Sequence, residues 1–180
     1  MVLVGRKAET LNLTAENISK ISKSISIIVE PTDVSDESSV KSLFGKIKAH
    51  YGKAHVLVNS AGSMNGGMIG DIPMASWWGD FVGDSCSTLP TSYRSDWRPL
   101  GQETNVKGTF LPIQSFIQSF GGEGTIINLV STAVAMAVPG ISSYASSKLA
   151  VIKLGQALSL GAYILFFPRL NPLQSHTNRT

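Results

Sequence analysis

Two residues four positions apart near the end of the chain have the chemistry to move a proton. Tyr144 and Lys148 lie in a segment that we predict to be helical, residues 142–160, so both side chains lie on one face. A phenol is a weak base at neutral pH, but a neighbouring ammonium group favours the phenolate form. The pair is therefore a candidate general acid and base for a hydroxyl proton. The alternative is a surface tyrosine and lysine with no chemical role.

A hydroxyl residue precedes this pair at the end of a predicted strand. Ser131 follows an apolar run, residues 125–130, and lies thirteen positions before Tyr144. In open parallel sheets, ligands bind beyond the carboxyl ends of the strands. A serine at that place can hold a substrate carbonyl oxygen beside the tyrosine. The three side chains together predict a proton-transfer site.

Short apolar runs alternate with helical patterns along most of the chain. The predicted strands are residues 2–4, 25–29, 56–58 and 125–130, and the predicted helices are residues 8–20, 36–51, 105–120 and 142–160. Such alternation is typical of a parallel sheet that is covered by helices on both faces. We therefore predict an α/β fold in which the candidate site residues follow the carboxyl ends of the strands.

Local signals predict two element boundaries and one helix face. Pro31 is expected to stop the second strand. Ser35 is expected to cap the helix that follows that strand. Phe110 is expected to lie on the inward face of the helix at residues 105–120, because it belongs to an apolar stripe with a helical period.

The composition indicates an ordinary globular domain. Hydrophobic residues make up 43% of the 180 residues and charged residues 15%, which argues against disorder. The net charge of +3 comes from scattered lysines and arginines, so we expect no nucleic-acid partner. With Cys86 as the only cysteine and no apolar run long enough to span a bilayer, we expect no membrane association and a reducing, cytoplasmic location. The three histidines have no metal-ligand spacing, so no metal is expected.

Four segments together resemble the short-chain dehydrogenase/reductase superfamily. They are Asn59-Ser60-Ala61-Gly62 after the third strand, Asn105 at the start of a long helix, Ser131 after the fourth strand, and Tyr144-Ala145-Ser146-Ser147-Lys148. The likeness extends from about residue 2 to residue 160. It implies a Rossmann-like, doubly wound parallel sheet and an NAD(P)-dependent oxidoreductase that transfers hydride between a nicotinamide and a carbonyl or secondary alcohol.

The resemblance implies a role for each catalytic candidate. Tyr144 would donate or accept the proton, and Lys148 would assist it while holding the nicotinamide ribose. Ser131 would orient the substrate oxygen, and Asn105 would anchor the water of a proton relay. Tyr144 and Lys148 would therefore contact both the substrate and the cofactor.

Further cofactor-binding candidates follow the second and third predicted strands. By the resemblance, Asp33 and Val34 would bracket the adenine ring. A loop would line the cofactor through Asn59, Ala61 and Gly62. The family usually has a second asparagine in that loop, where this chain has Ser60, so this one contact departs from the pattern.

Arg6 follows the first predicted strand, at the place that distinguishes NAD from NADP. An acidic residue at the end of this strand binds the ribose hydroxyls of NAD, whereas an arginine accommodates the 2′-phosphate of NADP. Gly5-Arg6-Lys7 contains two cations and no carboxylate, so we expect NADP, with NAD as the alternative. Otherwise, Arg6 and Lys7 would only solvate the start of a helix.

Both ends of the chain depart from the family pattern. The first strand and glycine-rich turn, a unit of about 30 residues, have no counterpart before residue 1, so we expect an incomplete sheet. Residues 1–160 are predicted to form a partial NAD(P)-binding domain. Residues 161–180 are predicted to form a non-family tail that is disordered.

The third departure is an internal segment, residues 82–102. It has no helical or strand period and contains Pro90 and Pro99. We interpret it as an insert and as a translated intron, because every valine codon begins with GT and a glutamine codon can end in AG, which suits Val82 and Gln102 as intron boundaries. The alternative is a genuine loop, such as a substrate lid.

These observations leave two hypotheses for the polypeptide. The first is a working reductase or dehydrogenase that acts on a small-molecule carbonyl or alcohol. The second is a catalytically inactive remnant that serves as a dimerising interaction module, because the helices at residues 105–120 and 142–160 resemble those that pair subunits in the family. Cofactor binding is the observation that separates the two, because the glycine-rich turn normally holds the pyrophosphate.

Overall fold

The computed structural model describes residues 1–79 and 105–160. The predicted insert, residues 82–102, and the predicted tail, residues 161–180, lie outside the described residues. The elements alternate between strand and helix as predicted, except for a short helix at Met74–Gly79 that was not predicted and that comes before the helix at Lys107–Phe120. In chain order they are β1 (Val2–Gly5), α1 (Ala8–Ile21), β2 (Ile28–Pro31), α2 (Glu37–Tyr51), β3 (Val56–Asn59), α3 (Met74–Gly79), α4 (Lys107–Phe120), β4 (Thr125–Asn128) and α5 (Ser142–Leu160), with a 3-10 turn (Thr132–Val134) before α5.

The four strands form two separate parallel pairs. β1 pairs with β2, with Val2 opposite Ile28, and β3 pairs with β4, with Val56 opposite Thr125. Within the described residues, no strand joins one pair to the other. The prediction of an α/β fold with a parallel but incomplete sheet is confirmed.

The second strand ends later than predicted. Pro31 is the last residue of β2 rather than the residue that stops it. The amides of Ile28 and Thr32 donate to the carbonyl oxygens of Met1 and Gly5 at 2.9 and 2.8 Å. Alternate residues of a parallel strand point their amides to opposite sides, so the nitrogen of Pro31 points away from β1. A proline costs no hydrogen bond at that position.

Helix α2 begins with a different cap from the one predicted. Asp36, not Ser35, is the N-cap, and its carboxylate accepts a hydrogen bond from the Ser39 amide at 2.7 Å. Hydrogen bonds from Ser39 and Ser38 lower the pKa of Asp36 from its ordinary value of 3.8 to about 2. Ser35 instead donates its amide and hydroxyl to Asp33 Oδ1, at 2.9 and 2.6 Å. Two carboxylate residues thus share the turn between β2 and α2.

The hydrophobic core lies between α2, α4 and the strands. Its buried side chains are Val40, Leu43, Phe44, Leu111, Ile113, Phe116 and Ile126. Val2 of β1 and Leu57 of β3 pack against this cluster, so the same core supports both pairs of strands. The prediction that Phe110 faces inward is wrong, because its side chain is 42% exposed and Leu111 and Phe116 occupy the interior.

The opposite face of β3 and β4 is only partly covered. Val56 and Val58 of β3 are 56% and 53% exposed, and Ile127 and Leu129 on and just beyond β4 are 36% and 46% exposed. We call these four residues the open face. In addition, none of the described helices is long and apolar enough to cross a membrane.

Candidate active site

Two asparagines meet where β3 and β4 end. Asn59 and Asn128 are the last residues of the two strands and lie opposite each other in the parallel register. The side-chain amide of Asn59 donates to the side-chain oxygen of Asn128 at 2.8 Å, and both residues are buried. This bond fixes the two strand ends from which the candidate site loops depart.

The loop after β3 is held by Asn105, which lies just before α4. Asn105 is fully buried. Its side-chain oxygen accepts from the Ser63 amide at 2.8 Å, and its side-chain nitrogen donates to the Ser63 carbonyl at 2.8 Å. The same nitrogen also donates to the Ser147 hydroxyl at 2.9 Å. Asn105 therefore joins the β3 loop to α5.

Gly62 permits this close approach because it has no side chain. A Cβ atom at Gly62 would lie 2.9 Å from Asn105 Oδ1 and 3.1 Å from Lys148 Nζ, both closer than ordinary contacts. The loop backbone therefore passes directly against the buried lysine. The neighbouring Ala61 is exposed, so this part of the predicted cofactor loop is open to a ligand.

Lys148 lies on α5 with only 5% of its surface exposed. Its ammonium group donates to the carbonyl oxygen of Leu129 at 3.2 Å. A buried ammonium needs such partners, because removing a charge from water is costly. We call Gly62, Ser63, Asn105, Ser147 and Lys148 the lysine site.

Tyr144 stands one helical turn before Lys148, as the sequence predicts. The Lys148 Nζ atom lies 5.9 Å from the centre of the Tyr144 ring, and the tyrosine is half-buried. Ser131 is also half-buried, and its hydroxyl oxygen accepts from the Ala133 amide at 3.2 Å, capping the 3-10 turn. The hydroxyl hydrogen of Ser131 is not used in that bond, so it remains able to donate to an incoming oxygen.

The other cofactor candidates follow the strands of the pair formed by β1 and β2. Arg6 follows β1 and is exposed. Asp33 and Val34 follow β2 and are half-buried. They therefore lie at the carboxyl ends of β1 and β2, while the catalytic candidates lie at those of β3 and β4.

Helix α3 fastens the β3 loop to the start of α5. Trp77 donates its ring N–H to the Ser142 hydroxyl at 3.0 Å, and the Ser143 hydroxyl donates to the Trp77 carbonyl. A backbone bond from Gly67 to the carbonyl of Gly140, 2.8 Å long, joins the same two regions. These bonds border the turn of α5 that carries Tyr144.

Several of these residues are not among the candidates from the sequence. Asn128, Ser63 and Ser147 were not predicted to contribute to the site. A signal existed for Asn128, because it ends an apolar strand just as Asn59 does. The signal for Ser147 was weaker, because serines directly precede lysines elsewhere in this chain too.

The residues present fit a nicotinamide cofactor at two places. At the lysine site, Gly62 exposes backbone next to Lys148, and Tyr144 lies on the same helix face. At the end of β1, Arg6 offers an exposed guanidinium for a phosphate group. Among the described residues, no three histidine, cysteine or carboxylate side chains gather as metal ligands.

The amino-acid sequence matches a known protein family. The family model for short chain dehydrogenases matches residues 1–163. The short chain dehydrogenase mpl6 of Monascus purpureus is 32% identical over 126 residues, which are 69% of this chain and 36% of that protein. The chain thus spans little more than a third of this relative.

Solved structures share the fold. A short chain dehydrogenase/reductase from Burkholderia phymatum in complex with NAD gives a TM-score of 0.70 at 23% identity, covering 91% of this chain and 53% of that one. A gluconate 5-dehydrogenase from Burkholderia cenocepacia J2315, in complex with NADP and tartrate, gives 0.70 at 21% identity, covering 91% and 57%. These structures share the fold, and the family model that matches residues 1–163 shows that the chain belongs to the short-chain dehydrogenase/reductase family.

Proposed function

We propose that this chain carries the catalytic part of an oxidoreductase that transfers hydride between NADP(H) and a small carbonyl compound or secondary alcohol. The observation that supports it most is the buried Lys148 ammonium, which lies 5.9 Å from the Tyr144 ring and beside the Gly62 backbone. A lysine is rarely buried without a specific reason. Here the reason is to place a cation between the tyrosine and the cofactor loop.

Each catalytic side chain has one task in this proposal. Tyr144 gives its hydroxyl proton to the substrate oxygen during reduction and takes it back during oxidation. Ser131 donates a hydrogen bond to the same oxygen and so holds it beside the tyrosine. Lys148 stabilises the negative charge that remains on the Tyr144 oxygen. When bound, the nicotinamide supplies or accepts the hydride.

Asn105 supports these groups through its contacts. Its side chain holds the Ser63 backbone and the Ser147 hydroxyl, and its own carbonyl oxygen accepts from the Thr109 hydroxyl at 2.7 Å. A relay water at Asn105 would use the remaining lone pair of that carbonyl or of Oδ1, since both side-chain N–H groups are occupied.

The cofactor preference is proposed to reside in Arg6. Its guanidinium suits a 2′-phosphate, and Asp33, Val34, Asn59, Ala61 and Gly62 would line the adenine and ribose parts of the cofactor. Of the two solved structures named above, one holds NAD and the other NADP. The charge at the end of β1 is therefore what favours NADP here.

Cofactor titration tests this proposal. NADPH or NADH would be added while the quenching of Trp77 and Trp78 fluorescence is followed. Two proteins would be compared: the 180-residue chain, and a fusion in which a strand, a glycine-rich turn and a helix precede residue 1. The fusion should raise NADPH affinity by orders of magnitude, because the pyrophosphate gains a helix N-terminus. In the fusion, Arg6→Asp should shift preference toward NADH, whereas Lys23→Asp, an equal charge change in the exposed turn after α1, should not. Equal NADPH affinity of the parent fusion and its Arg6→Asp variant would refute the role of Arg6.

A second candidate function is a dimerising module without catalysis. It is favoured by the apolar side chains that α4 and α5 expose, Phe110 at 42% and Leu149 at 47%. Sedimentation separates the candidates: a stable dimer that binds neither NADPH nor NADH would favour the module. We also propose a cytoplasmic location, because a chain with Cys86 as its single cysteine suits a reducing compartment.

A further inference from the structure

Ser147 lies inside the lysine site and has no surface exposed to solvent. Its hydroxyl donates to the Tyr144 carbonyl at 2.7 Å and accepts from Asn105 Nδ2 at 2.9 Å. Helix α5 does not need a serine here, since alanine forms helices better. The bond to the Tyr144 carbonyl is a local bond that helical serines commonly make, as Ser159 does to the carbonyl of Gln156. The bond with Asn105 reaches outside the helix, and helix formation does not account for it.

The second of these bonds completes the hydrogen bonding of Asn105. Its side-chain amide has two hydrogens, and they go to the Ser63 carbonyl and to Ser147. Without the Ser147 oxygen, one hydrogen would lose its partner in a fully buried place, which is unfavourable. Asn105 would then turn or admit water. Either change would weaken the hydrogen bond that the Ser63 amide donates to Asn105 Oδ1.

Movement of the Ser63 loop would reach the reacting groups. Gly62, the preceding residue, lies directly against Lys148 Nζ and Asn105 Oδ1. The other bond of Ser147 ends on the carbonyl of Tyr144 itself. One hydroxyl thus connects the backbone of the tyrosine, the asparagine and, through it, the loop beside the lysine.

We propose that Ser147 is a positioning residue for the reaction. It acts through Asn105, fixing the distance between the Gly62–Ser63 loop and the Tyr144–Lys148 pair. It contacts neither substrate nor cofactor. This inference rests on the proposed function, and its test has one part that needs turnover and one that does not.

The turnover experiment compares two neighbouring serines of the 180-residue chain. NADPH oxidation would be measured with acetophenone and cyclohexanone as probe ketones. Ser147→Ala should lower kcat by about ten- to a hundredfold with little change in KM, because misplaced reacting groups slow the chemical step. Ser146→Ala, a change at the exposed neighbouring position, should leave both constants unchanged. In an Asn105→Ala background, Ser147→Ala should have little further effect, because the two residues act as one unit.

The second experiment observes Asn105 by NMR, without turnover. Its side-chain amide hydrogens should exchange slowly with solvent in the parent and in Ser146→Ala, and quickly in Ser147→Ala. Should Ser147→Ala not fold, Ser147→Cys takes its place, since a thiol is only a weak acceptor and donor. A Ser147→Ala protein with parental kcat, or with Asn105 hydrogens as protected as in the parent, overturns the inference. An inactive parent contradicts the proposed function, and the exchange of the Asn105 hydrogens then decides alone whether Ser147 holds Asn105.

Discussion

The lysine site lies beyond the carboxyl ends of β3 and β4, and the open face lies on and just beyond the same two strands, yet their surroundings differ. In the lysine site, Asn105 and Ser147 are fully buried, and three side-chain hydrogen bonds hold Asn105 to the loop and to α5. On the open face, Val56 and Val58 remain more than half exposed. Strands of parallel sheets are ordinarily buried on both faces.

The two regions differ in whether the described elements complete them. The polar contacts of the lysine site are supplied by consecutive elements, from β3 through α5, so the described residues complete them. Among the residues that the structure describes, no element fully covers the open face and no strand joins the two pairs. The polar contacts around Lys148 thus need fewer parts of the fold than a sheet that is covered on both faces does.

The largest expected effect concerns the proton transfer. Tyr144→Phe removes the hydroxyl and keeps the ring, so turnover should fall by about a hundredfold to ten-thousandfold. Lys148→Met should have a similar effect and also weaken NADPH binding, measured by fluorescence titration. Tyr51→Phe, a distant tyrosine at the end of α2, serves as the control. Activity of Tyr144→Phe equal to that of the parent would exclude the tyrosine as the proton donor.

Alanine substitutions at two neighbouring isoleucines compare the two faces of β4. Ile126 is 4% exposed and packs in the core, whereas Ile127 is 36% exposed on the open face. Ile126→Ala should reduce the free energy of unfolding by about 2–5 kcal/mol. Ile127→Ala should reduce it by less than about 1 kcal/mol. Urea denaturation measures both, and equal losses would mean that the open face is covered in solution.

Deleting residues 82–102 tests the segment that precedes Asn105. If the segment is foreign, its deletion should raise Tm by roughly 2–4 °C, because a shorter connection has less entropy to lose on folding. Thermal unfolding measures the change, and limited proteolysis should cut the parent within the segment. A lower Tm after the deletion would favour a genuine loop. An abundant mature transcript that keeps these codons, with no shorter form, would rule out the intron.

The smallest expected effect concerns pH, at a residue that belongs to neither region. Asp36 is exposed and has its pKa lowered from 3.8 to about 2, so its carboxylate stabilises the folded chain above pH 3.8. That stabilisation should be lost as the pH falls from 3.8 to about 2. Asp36→Asn keeps the cap without the charge and should remove this part of the pH dependence. Thermal unfolding across that range is the measurement, and an Asp36→Asn curve parallel to that of the parent would contradict it.

The amino-acid sequence determined the order and type of the four strands and of helices α1, α2, α4 and α5, because apolar periodicity is a local property of the chain. It did not predict the short helix α3. It also determined that Tyr144 and Lys148 share a helix face, since their spacing is one helical turn. Local signals were less decisive at the boundaries of the elements. Asp36 rather than Ser35 caps α2, and Pro31 is the last residue of β2 rather than the first residue after it. Neighbouring residues compete for such places, and small differences in geometry decide between them.

Tertiary structure alone decided which partners the buried polar groups have. Asn105 lies 42 residues from Ser63 and 42 from Ser147, and no local pattern relates the three. Their contact exists because β3, α4 and α5 pack together at the carboxyl ends of the strands. Tertiary packing likewise decided that Phe110 is exposed and Phe116 buried, since the rotation of α4 depends on what lies beneath it.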